Sequence, residues 1–188
     1  MLTKEEYKEL KDSFFNFMKK LLVEQGDLNP CIVLMGKKLA NALGEEEESN
    51  AVVYVPIPGK YMKTEKTKEE FVTEVIPKMG TEIRQYFSIY AVAWVAEAWV
   101  REVHQGEVPV NWKDLPIQKE VLIITIETKD ATEGITFEIK RNGKEVNAEG
   151  ELIDHIELIE DIRANGFIPS GGRFSGLYKQ FTESGTSS

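Results

Sequence analysis

Apolar residues recur every three or four positions between Lys4 and Gln25, where Tyr7, Leu10, Phe14, Phe17 or Met18, and Leu21 gather on one face. That spacing predicts an amphipathic helix. Thr3 followed by Glu6 supplies a capping box for its first free N–H groups, and Gly26 is a natural left-handed stop. Two short runs rich in Ile and Val follow, Cys31 to Met35 and Ala51 to Pro56, and both read as strands. Pro30, Pro56 and Pro58 stand at their ends, where a missing N–H does little harm. Between them, the adjacent glutamates Glu45 to Glu48 repel one another and belong in a solvated loop.

A second helical stripe starts near Lys68, with Thr67 and Glu70 as its capping pair, and runs through Phe71, Val72, Val75, Ile76, Met79 and Ile83. Pro77 and Gly80 interrupt it. They cost about 3 and about 1 kcal/mol in a helix interior, whereas each buried large side chain returns roughly 1.5–3 kcal/mol. The balance favours a helix that kinks or restarts at Pro77.

The period then falls to two. Between Ile89 and Val103, Tyr90, Val92, Trp94, Ala96, Ala98 and Val100 share one strand face, despite the alanine content. Leu122, Ile124 and Ile126 do the same in Val121 to Thr128, and Ile135, Phe137 and Ile139 alternate with Thr136, Glu138 and Lys140. A turn spans Asp130 to Gly134, and Asn142-Gly143 predicts a type I′ hairpin. Leu152 to Ile162 fits helix or strand, with the sheet edge preferred. Phe174, Leu177, Tyr178 and Phe181 predict a short terminal helix, and 183–188 read as a disordered tail.

The expected fold is therefore α+β: a mainly antiparallel sheet with two long helices packed on one face and a short C-terminal helix, in a single domain over residues 1–182. The strand pair Ala91–Val100 and Glu120–Glu127 is too generic to carry a family assignment.

Composition narrows the function classes. The 188 residues are 41% hydrophobic and 29% charged, an ordinary globular balance. The longest apolar stretch, Ile89 to Val100, is about half a membrane span and contains Glu97. With no apolar leader at the N-terminus and a single cysteine, a cytoplasmic protein without a membrane partner is expected. A formal net charge of −9 and no basic stripe argue against binding nucleic acid.

Candidate chemistry is sparse. His104 and His155 lack zinc-motif spacing, the Glu45–Glu48 run lacks an EF-hand pattern, and no cofactor or metal is expected. Cys31 opens an apolar strand, which favours packing over reactivity. Glu97 interrupts an apolar strand and shares a face with Trp99 and Arg101; it is expected to act as an acid with a raised pKa, to pair with Arg101, or to meet water. Trp112 lies in the long His104–Gln118 connection, either as an exposed anchor or tucked beneath the loop with Val108 and Val110. Arg173, in a glycine-containing stretch before the last helix, offers an anion contact or simply a turn.

These features predict no particular reaction. The leading expectation is a non-enzymatic protein-interaction or self-associating domain using the outer sheet face or the Trp112 loop. The competing one is a small-molecule-binding domain or enzyme with Glu97, Arg101 or Arg173 in a sheet–helix cleft. A third is an acidic mimic of nucleic acid that blocks a basic partner.

Overall fold

The computed structural model describes residues 3–39, 50–100, 119–146, 150, 152–160 and 176–183. Helix α1 (Lys4–Gln25) leads into strands β1 (Cys31–Lys38) and β2 (Asn50–Pro56). A helical stretch follows as a 3-10 turn (Gly59–Met62), α2 (Glu65–Glu70), a π turn (Phe71–Val75) and α3 (Ile76–Ile83). Strands β3 (Phe87–Val100), β4 (Lys119–Thr128), β5 (Thr132–Val146) and β6 (Leu152–Glu160) come next, then α4 (Leu177–Thr182). All six strands form one antiparallel sheet in the order β2-β1-β3-β4-β5-β6. The α+β class, the extended middle of the chain, the strand at Leu152 and the short last helix match expectation.

The helices do not share one face. Cys31, Val33 and Met35 of β1 pack with Phe14, Met18 and Leu22 of α1, whereas Ile32 and Leu34 pack with Phe71, Ile76, Leu177 and Phe181. Neighbouring side chains of a strand point to opposite faces, so α1 covers one side and α2 to α4 the other. The unbroken burial of Cys31 to Gly36 follows: β1 is covered on both faces, as a short continuous apolar run allows.

Local chemistry moves three boundaries. The second helix is capped at Thr64, whose hydroxyl accepts the Thr67 N–H while Thr67 reciprocates, rather than at Thr67 and Glu70. The helix passes Pro77 by widening: the Ile76 N–H bonds the Phe71 carbonyl, five residues back. A proline ring clashes with the carbonyl four residues earlier, here Thr73, and a π turn at that point relieves the contact. Asn142-Gly143 is not a hairpin. Strand β5 continues through it, with Arg141 opposite Ile156 and Lys144 opposite Asp154. Gly143, at φ 93°, supplies a β-bulge instead of a reversal.

Gly26 ends α1 at φ 80°, with its N–H on the Leu22 carbonyl. Its missing Cβ lets Ile153 of β6 approach; a Cβ there would lie 3.3 Å from the Ile153 Cβ. The C-terminal end of α1 is thus set against the far edge of the sheet.

Candidate functional site

The alternation that builds the core under α1 also carries four charged residues to its end. Glu97 continues the row of Ala91, Ala93 and Val95; Glu120 continues Leu122 and Ile124; Arg141 continues Phe137 and Ile139; Asp154 lies two residues from Ile156. Register brings them together, because Glu97 stands opposite Leu122, Glu120 opposite Ile139, and Arg141 opposite Ile156.

Arg141 organises the group. Its Nε donates to Glu120 Oε2 at 2.8 Å. Its Nη2 donates to Glu120 Oε1 at 3.0 Å and to Glu97 Oε2 at 2.9 Å. Nη1 reaches Asp154 Oδ2 at 3.2 Å and also the Gly26 carbonyl at the end of α1. Lys144 holds the other Asp154 oxygen at 2.5 Å. The second Glu97 oxygen accepts the Leu28 N–H. A guanidinium suits this place because its fixed fork of donors serves several acceptors in one plane.

The carboxyls differ in their protons. Burial pushes Glu97 up to about 7, against the Leu28 N–H, while its hydrogen bond to Glu120 raises it further. The Arg141 guanidinium holds Glu120 below the usual carboxylate range, and Lys144 does the same for Asp154. Near neutrality Glu97 is partly protonated beside an ionised Glu120. The arrangement ties β3 to β6 and caps α1. As chemistry, it stores a proton.

The face of α1 toward β2 differs. Val52 and Tyr54 point to the α1 side, since Tyr54 pairs with Val33, and among the described residues no strand lies beyond β2. Phe17, Val52 and Tyr54 are 57%, 56% and 47% exposed. They line an apolar groove of about 620 Å³ with Leu10, Phe14 and Leu21. A smaller groove of about 350 Å³, polar at Glu6, Glu9 and Asn50, continues from it through Leu10, Ser13 and Val52. Glu97 lines neither.

The five expected site residues separate accordingly. Glu97 is half-buried with its pKa raised, and among the described residues its cation is Arg141. Trp99 shares the Glu97 face, opposite Glu120, and is 66% exposed. Arg101, Trp112 and Arg173 lie outside the described residues, as does His104. Sequence reasoning missed Arg141, Glu120 and Asp154. The usable signal was parity: Arg141 extends the alternation of Phe137 and Ile139, which a turn at Asn142 concealed. It also missed Phe17, which loses the core position to Met18.

Cys31 is fully buried, and burial pushes its thiol up to about 11, which suits packing. His155 Nδ1 is 2.8 Å from Glu145 Oε2 at the surface. Among the described residues no group of three or more His, Cys, Asp or Glu is placed to hold a metal ion, and no helix is long and apolar enough to cross a membrane. Compared with protein-family models, with curated proteins and with solved structures, the chain matches none of them.

Proposed function

We propose that this chain is a non-enzymatic protein-interaction domain whose contact surface is the furrow between α1 and the edge strand β2. The observation that carries this is the row of Phe17, Val52 and Tyr54, all well exposed in one apolar groove. Single exposed apolar residues are ordinary, but a contiguous apolar groove beside a free strand edge is a surface made to be covered. The ion-pair cluster supports the same reading, because Glu97 is engaged by the Leu28 N–H and Arg141 away from both grooves. A net charge of −9 favours protein over nucleic acid as the partner. A buried free thiol suits the reducing cytoplasm.

Photo-crosslinking tests this. Phe17→p-benzoylphenylalanine, in cells producing the chain at its ordinary level, is expected to yield a discrete protein adduct. The same probe at Asp12, exposed and about 140° round the helix, yields none. Adducts equally strong at both positions, or absent at position 17, would remove the furrow as an interaction surface.

A further inference from the structure

We propose that the groove between α3 and the sheet is a helix-recognition site, and that α4 is its tethered ligand, replaceable from solution by a free helix of the same pattern. The groove lies on the opposite face of the sheet from the furrow and stands independently of it.

Helix α4 has six residues, and isolated helices shorter than about 12–15 residues are marginal in water. Its shape is therefore imposed by what it rests on: α3, the π turn, β3 and β4. Those elements supply what a short helix lacks at each end. At the start, the Glu127 carboxylate of β4 accepts the N–H groups of Gly176 and Tyr178 at 2.8 and 2.9 Å. At the finish, Arg84 Nη1 donates to the Phe181 carbonyl and, at 3.4 Å, to that of Glu183. Arg84 is itself steadied by Thr81, whose hydroxyl accepts from Nη2 at 3.2 Å. A negative group at the N-terminus and a positive one at the C-terminus match the helix dipole, and together they set the direction in which a helix enters.

Between these clamps Leu177 and Phe181, four residues apart on one face, are 1% and 0% exposed. Anchors at that spacing on an apolar floor are the grip of helix-in-groove recognition. Gly80 of α3 lets the backbone in: a Cβ there would lie 2.9 Å from the Phe181 carbonyl oxygen and 3.0 Å from its Cα. Every other buried member of this core among the described residues lies between Ile32 and Val92. The floor is thus built by other elements, and α4 lies on it as a ligand does. The occupant it fits is a short amphipathic helix with leucine- and phenylalanine-sized side chains four apart. Its first turn carries no acidic residue, which Glu127 would repel.

NMR of the isotope-labelled full chain, titrated with an unlabelled peptide of residues 175–184, tests this. A helix on the same chain as its groove has an effective concentration on the order of millimolar, so the peptide is expected to displace half of α4 at about that concentration. The amide signals of Tyr178 and Phe181 then move to the positions of an unstructured tail, while those of Leu122 and Ile124 in β4 stay. The same peptide carrying Leu177→Asp and Phe181→Asp should displace none. In the full-length Phe181→Asp chain, which empties the groove, a fluorescent copy of the native peptide should bind at least about 100-fold more tightly than to the parent. Adding Gly80→Ala should weaken that binding about 10-fold or more, although alanine is the better helix former.

Signals of α4 that stay put at about ten times the effective concentration, or that yield equally to the aspartate peptide, would overturn the proposal. So would a Phe181→Asp chain that keeps its sheet yet binds the peptide no better than the parent does. If Phe181→Asp unfolds the sheet, the titration of the parent decides alone.

Discussion

Glu97 is held at two protonation states by opposing forces: burial expels its charge, while Leu28 N–H and Arg141 invite it. Burial wins, so its folded pKa of about 7 lies above the ordinary 4.5. The fold then binds the proton more tightly than the unfolded chain does, and its contribution is complete below about pH 4.5 and is lost as pH rises through about 7. Glu97→Gln, which cannot ionise, removes that dependence. Between those limits the stability of the parent is expected to fall by roughly 1–3 kcal/mol relative to the variant, measured by urea unfolding at each pH. A difference independent of pH, or a carboxyl titrating near 4 by NMR, would contradict the shift. Arg141→Ala strands two neighbouring carboxylates, Glu97 and the end of α1 together. Because the guanidinium is about one-quarter exposed, a loss of about 2–3 kcal/mol is expected, somewhat under that of a fully buried pair. Arg141→Lys should recover less than half, since an ammonium lacks the planar fork. Glu97 stood out in sequence because a carboxylate in an apolar strand needs an explanation. Its cation did not, because pairing depends on register across strands far apart in the chain.

At the scale of elements, two glycines in strands show distinct constraints. A Cβ on Gly36 would meet the Ser88 carbonyl oxygen at 2.0 Å and Phe87 Cε1 at 2.7 Å, where the β1–β3 register shifts. Neither backbone can yield without breaking the centre of the sheet, so Gly36→Ala is expected to cost about 3 kcal/mol or more in thermal or urea unfolding. At Gly143, chain neighbours aside, no described residue places an atom within 4 Å of such a Cβ, and the constraint seen is the positive φ. Gly143→Ala should therefore cost only about 1–2 kcal/mol. Equal losses at the two sites would undo the distinction. Periodicity disclosed α1, the strands and α4 because burial on one face imposes it directly. Asn142-Gly143 misled because positive φ serves a bulge as well as a turn, and only the partner strand chooses. The placement of helices on both faces was legible in principle: Cys31 to Met35 is apolar at every position, and a strand with one wet face would alternate.

Over the described molecule, the two cores lie on opposite faces of the sheet, and α4 packs into the second. Glu127 is buried and receives the N–H groups of Gly176 and Tyr178 at 2.8 and 2.9 Å, a charge-assisted cap at the start of α4. Leu177 and Phe181 are almost wholly buried against Phe71 and Ile76. Phe181→Ala is expected to cost about 3–5 kcal/mol. Truncation before Gly176 should cost more, because it removes those side chains and leaves the Glu127 carboxylate buried without its donors. A truncated chain as stable as the parent would show that α4 is merely laid on the surface.

Helix α1 is made well before β6, the last described strand of the sheet, against which it rests. About 130 residues separate them, so a ribosome working at 5–20 residues per second leaves the helix without its final seat for on the order of ten seconds. Throughout that interval Phe14, Met18 and Leu22 have only part of their floor, and the helix waits partly uncovered for the strand that completes it.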